Sequence, residues 1–221
     1  MTDLRDRAAT LWRRIVTSDP DAIFGAEASV LMNRNWADRL PQPGYMGAQY
    51  RPGGLVFVSM NPRAGPQVVL NASDLHHYMA LQGLKGADQS VARRAFDELT
   101  QVLADIMPRW RIYLNCVAPV LGAAGLDFAE VAYVNLLKWR PTTDGGLARI
   151  NAISWHLHTR DQIELLAPSR VIAIGSDEGP DFRKRCTEQV DFDFIPRIHK
   201  NVRRMRREAL TQTAAMVWQV E

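Results

Sequence analysis

Four short apolar runs, at 55–60, 131–137, 170–174 and 192–196, recur between stretches of helical periodicity. Each is short and rich in Val, Ile, Leu or Phe, which is the pattern of a strand. Strands buried on both faces read as short apolar runs of this kind, so both faces are expected to be covered. Helices lying between such strands supply the cover, and their crossovers force neighbouring strands to run parallel. The expected fold class is therefore α/β: a three-layer α/β/α sandwich with a four-stranded, mainly parallel central sheet.

Apolar spacing predicts helices over 3–17, 23–38, 88–107, 147–167, 177–187 and 202–218. Pro41, Pro43 and Gly44 stop the second of these. Residues 63–87, with Gly65, Pro66, Gly83 and Gly86, read as a long loop holding one short helix, and 110–126 as an irregular apolar stretch. Ser176 is placed to cap the helix at 177–187, with Asp177 and Glu178 as acids in its first turn. A typical domain has ~150 residues, so a chain of 221 favours one full-sized domain over two. The expectation is a single domain over 1–221, with 1–45 as a helical extension packed on it.

Other classes are excluded on simple grounds. No apolar run approaches the ~18 residues of a membrane span. The first residues are amphipathic and carry acids, unlike a secretory signal, so a cytoplasmic protein is expected. Cys116 and Cys186 form no C-x-x-C pair, which removes a disulfide framework, a zinc site and a four-cysteine cluster. No metal or cofactor is expected. The net charge of +3 is mild, yet Lys200, Arg203, Arg204, Arg206 and Arg207 fall within eight residues. Such a run either holds phosphates or forms a solvated helix face.

In a parallel sheet, ligands bind beyond the carboxyl ends of the strands. Four groups of residues stand there: Asn61-Pro62-Arg63, then Asn135 with Lys138-Trp139-Arg140, then Gly175-Ser176-Asp177, and finally Arg197-Ile198-His199-Lys200-Asn201. Two amides and a histidine are thus expected at one edge.

These segments resemble the motifs of the uracil-DNA glycosylase superfamily. The run G-L-V-F-V-S-M-N-P-R-A-G-P at 54–66 is similar to its first motif, an apolar strand ending in Gly-x-Asn-Pro-Gly. Y-V-N-L-L-K-W-R-P-T at 133–142 resembles the second, a strand asparagine followed by Lys-x-Arg-Pro. R-V-I-A-I-G-S at 170–176 resembles the third strand, and F-I-P-R-I-H-K-N at 194–201 the fourth, which delivers a histidine. The likeness spans roughly 50–210. Ser59 and Arg63 stand where the motif has glycine, Lys200 stands where proline follows the histidine, and the cysteines of the iron–sulfur branches are missing.

The resemblance implies roles. Asn61 would orient the water that attacks C1′, and His199 would donate to uracil O2 as the base leaves. Asn135 would read the base edge, since one amide donor and one acceptor match uracil N3–H and O4; Asn115 is a rival. Pro62 and Gly175 would line the base site, with Tyr78 stacking on the base from a loop. Arg63, Lys138, Arg140, Lys200, Asn201, Arg203 and Arg204 would hold DNA, with Arg203 or Met205 filling the vacated stack. Each has a plainer alternative: Asn-Pro as a turn, Asn135 as a partner for neighbouring backbone, Trp139 as core. No lysine is placed for Schiff-base chemistry. The implied activity is monofunctional excision of a deaminated base, uracil, from DNA by a monomer in base excision repair. The alternative is a catalytically weak relative that binds lesions or single strands. An unrelated hydrolase or nucleotide-binding protein is disfavoured, because G-x-S-x-G, G-x-G-x-x-G and a Walker lysine are absent.

Overall fold

The computed structural model describes residues 3–33, 37–62, 72–143, 146–175 and 191–196. All four expected strands form: β2 (Leu55–Ser59), β3 (Ala132–Asn135), β4 (Arg170–Gly175) and β5 (Asp191–Pro196). They pair in parallel, β3 to β2 to β4 to β5, with helices around the sheet. Every residue of β2 and β3 is buried, which is why neither run alternates. The fold is a mainly parallel α/β sandwich.

One strand adds to the expectation. β1 (Gly44–Met46) joins the free edge of β3 antiparallel, with Tyr45 opposite Tyr133. Gly44 makes this approach possible: its φ is +107°, and a Cβ there would sit 2.1 Å from the Tyr133 carbonyl oxygen. The segment expected to be a helical extension therefore contributes a strand to the sheet.

That segment is also part of the core. Helix α1 (Leu4–Val16) buries Ala8, Trp12, Ile15 and Val16, and Trp12 Nε1 donates to the Gly44 carbonyl at 2.9 Å. The Trp12 ring meets Phe96 of helix α4 (Ala92–Ile106) edge-on, with centroids 5.8 Å apart. Around this contact Arg5 pairs with Asp97 at 2.5 Å, and Arg93 reaches back to Asp3 and Asp6 at 2.9 and 2.7 Å. The second expected helix is shorter than its spacing predicts. It comprises α2 (Pro20–Phe24) and a 3-10 stretch, Gly25–Val30.

The loop expected at 63–87 is corrected in its second half. Helix α3 (Ala72–Gly86) runs for fifteen residues. Gly83 and Gly86 read as breakers, but both sit on an open face where a Cβ would meet nothing. Burial of Tyr78, Leu81 and Leu84 on the other face outweighs the ~1 kcal/mol that each helical glycine costs. The stretch expected to be irregular, 110–126, also winds up, as a π turn (Tyr113–Val117) running into α5 (Ala118–Ala124). In α4 the central buried residues are Phe96, Leu99 and Leu103, with Ala95 and Val102 half-buried beside them.

The helix expected over 147–167 forms in three parts: α6 (Ala148–Ser154), a π turn (Trp155–Thr159) and α7 (Arg160–Leu166). The helices expected at 177–187 and 202–218, and the Ser176 cap, lie outside the described residues.

Candidate functional site

The parallel register aligns the strand ends. Ser59 is opposite Asn135 on one side and Ile174 on the other, and Gly175 is opposite Pro196. Pairing continues past the strands, because Leu136 and Leu137 donate their amides to the carbonyls of Ser59 and Met60 at 2.7 and 2.9 Å. Asn61 and Pro62, next along the chain, therefore leave the sheet at the same edge as Asn135. Asn61 is half-buried and Pro62 buried.

Two hydrogen bonds hold the Asn135 side chain at this edge. Its Oδ1 accepts from Ser59 Oγ at 2.5 Å, and its Nδ2 donates to the Gln42 carbonyl at 3.0 Å. Only 7% of the residue is exposed. An amide offers two N–H groups and two lone pairs, so one of each is engaged and one of each is left over. The plainer reading, an asparagine bonded to neighbouring backbone, thus describes part of what it does. The rival, Asn115, lies off the strands in the π turn Tyr113–Val117.

Lys138 requires a correction. It is completely buried, and its Nζ donates to the Asn135 carbonyl and to Gln162 Oε1, so it does not face a phosphate. Burial alone pushes its pKa well below the ordinary lysine value. Thr159 Oγ1 joins at 3.2 Å from the Asn135 carbonyl, and Ser154 Oγ donates to the Leu136 carbonyl at 2.7 Å. The π turn between α6 and α7 starts just after Ser154 and ends on Thr159. Gln162 Nε2 completes the set by donating to the Pro43 carbonyl at 3.1 Å. This polar tie runs from the end of β3 to the helix behind it.

Trp139 resolves as core. It is buried, meets Phe24 edge-on at 5.3 Å, and donates Nε1 to the Arg39 carbonyl. Arg140 is half-buried, its buried Nε has no hydrogen-bond partner among the described residues, and its guanidinium lies 5.5 Å from the centre of the Tyr78 ring.

Tyr78 is also corrected: it sits on helix α3, not on a loop, and is fully buried. Its hydroxyl accepts from Gln42 Nε2 at 3.1 Å. Gln42 therefore links the two residues, through its backbone to Asn135 and through its side chain to Tyr78. Beside it His77 is buried, and burial together with the Arg140 charge lowers its pKa to about 3. Sequence reasoning gives Gln42 and Gln162 no role, and marks Ser59 only as standing where the resembling motif has glycine. The signal in the sequence is a lone polar residue, next to last in the apolar run at 55–60, and an amide set between Pro41 and Pro43.

Arg63, His199, Lys200, Asn201, Arg203, Arg204 and Met205 lie outside the described residues. Among the described residues no group of three or more His, Cys, Asp or Glu is placed to hold a metal ion, and no helix is long and apolar enough to cross a membrane. No protein-family model matches the chain, and no curated protein matches it.

Proposed function

We propose that this protein is a monofunctional DNA glycosylase of the uracil-DNA glycosylase type, acting as a cytoplasmic monomer on DNA that carries a deaminated base. The observation that carries this reading is the register of Ser59 against Asn135, which brings the ends of the first two motif-like segments together. The alignment of Gly175 with Pro196 brings the third and fourth segments to that edge as well.

In this reading the target nucleotide is flipped out of the duplex, at a cost of a few kcal/mol that is least for a mispaired base. Asn61 orients a water toward C1′. An amide is no strong base, so stabilisation of the departing anion supplies most of the rate, and His199 does this from beyond the end of β5. The N–H and lone pair left over on Asn135 meet the base edge, with Pro62 and Gly175 beside it. Arg140 offers its guanidinium to the backbone, as do Arg63, Lys200, Asn201, Arg203 and Arg204. Lys138 takes no part in DNA contact.

One observation favours a second reading, a weakly catalytic protein that binds lesions or single strands. The Asn135 amide is half spent inside the protein, which leaves it fewer contacts for a base. A uracil-containing oligonucleotide, incubated with the protein and treated with alkali, separates the two. Strand cleavage at uracil supports the glycosylase. Retained binding with no alkali-labile site supports the binder, and neither result overturns both.

A further inference from the structure

We propose that Ser59 is a positioning residue, which holds and polarises the Asn135 amide so that its remaining N–H faces the ligand as a strengthened donor. The proposal rests on the glycosylase reading and concerns the same edge.

The geometry is specific on three counts. First, the Gln42 carbonyl can only accept, so it selects Nδ2 and sets which end of the amide is which. Second, the Ser59 hydroxyl then has the carbonyl end, Oδ1, at 2.5 Å, and donates to it. Third, Ser59 is 2% exposed and Asn135 7%, so bulk water does not compete for either group. The backbone carbonyl of Ser59 is already taken by Leu136, so the hydroxyl is an addition to the sheet pairing and no part of it. Leu55, Val56, Phe57 and Val58 precede it, making Ser59 the one polar side chain of β2.

A hydrogen bond into an amide oxygen draws charge from the nitrogen, and linked hydrogen bonds strengthen one another in a dry environment. The Asn135 N–H not used by Gln42 thereby becomes a better donor. Its natural acceptor is a ring carbonyl that gains negative charge as the glycosidic bond breaks, so the benefit is largest in the transition state. Ser59 acts on the reaction only through Asn135. Where the resembling motif has glycine, no such bond can form, so the device belongs to this chain.

The test uses the full chain with Ser59→Ala and Ser59→Thr. In the alanine variant kcat on a uracil-containing oligonucleotide should fall ~5–10-fold, the scale of one neutral hydrogen bond, with KM and affinity for undamaged DNA near wild type. Free uracil should lose part of its lead over free cytosine as an inhibitor. The side-chain amide resonance of Asn135, identified by its loss in Asn135→Asp, should shift. Threonine restores the hydroxyl and should restore all three. If the alanine variant does not fold, Ser59→Cys keeps a weak donor of similar size and carries the same comparison. Unchanged kcat and inhibitor preference in an enzyme that cleaves uracil would overturn the role of Ser59. An unmoved Asn135 resonance would overturn it as well. A wild-type protein that leaves uracil in place defeats the glycosylase reading instead, and the resonance then judges the Ser59 bond alone.

Discussion

Lys138 donates its Nζ to Gln162 Oε1 at 2.5 Å, inside the protein, on the side of the strand end facing the π turn of the following helix. The same amine donates to the Asn135 carbonyl, so a side chain that reads in sequence as a phosphate contact fastens a strand to a helix. Replacing Lys138 with Met keeps much of the volume but strands the Gln162 oxygen. Stability should drop by ~1–3 kcal/mol, the cost of a buried acceptor without its donor. The double variant Lys138→Met, Gln162→Met should recover only part of that loss, because it also takes the Gln162 Nε2 donor from the Pro43 carbonyl. The salt dependence of DNA binding should not move, since a phosphate contact contributes roughly 0.9 to the slope and Lys138 makes none. Urea titration and binding at several salt concentrations check both halves, and a reduced slope would return Lys138 to the DNA interface.

His199→Ala should lower the rate of uracil release by ~10²–10³-fold, as loss of one preorganised donor does. Folding and DNA affinity should stay near wild type. Single-turnover kinetics decide it: an unchanged rate removes the leaving-group role from His199.

Asn135→Asp should act on recognition and on stability together. An ionised carboxylate cannot donate, so it faces the Gln42 carbonyl without a proton and repels the carbonyl of uracil. Uracil cleavage should fall sharply while affinity for undamaged DNA holds, and the unfolding free energy should drop by ~1–3 kcal/mol. A variant of wild-type stability would mean that the bond to Gln42 contributes little.

Acid should unfold the protein through buried histidines. Burial, with the Arg140 charge, lowers His77 to about 3, and burial, with the Lys138 charge first among its neighbours, lowers His158 to about 4. Both pKa values lie below the unfolded value of 6.5, so the unfolded chain binds the extra protons. The stability these neutral rings permit is complete above pH ~6.5 and is lost as pH falls from there toward 4 for His158 and toward 3 for His77, at up to ~1.4 kcal/mol per pH unit for each ring. His77→Gln and His158→Gln should each flatten the curve in that window. If chemical denaturation between pH 7 and 4 gave the same slope in the variants, other groups would be responsible.

Ala167 follows helix α7 with φ at +44°, in the left-handed region, and its carbonyl accepts from Gly53 at 2.7 Å. A side chain there is strained by ~1–2 kcal/mol, which glycine avoids. Glycine also gains freedom in the unfolded chain, so the net gain from Ala167→Gly should be ~0.5–1 kcal/mol. A thermal melt should show a rise of a few degrees, and a fall would show that the methyl group packs usefully.

The sequence by itself determined the four parallel strands of the sheet, though not the antiparallel β1 at its edge. A strand buried on both faces needs apolar residues at every position, so β2, β3 and β4 announce themselves locally, and helices between them leave parallel pairing as the natural arrangement. It also determined that Asn61 and Asn135 emerge at one edge, because strand ends in parallel register share an edge. Only the tertiary structure decided what those side chains do there. The partners of Asn135 lie 76 and 93 positions away, at Ser59 and Gln42, and Lys138 meets Gln162 across 24. Periodicity carries no trace of such pairings. A lysine after a strand reads as charged and exposed until a π turn sets an amide oxygen beside it, and α3 reads as a loop until the core shows that its glycines face away. Local composition reports how much of a segment is buried; which polar atom meets which is settled only when distant segments are packed together.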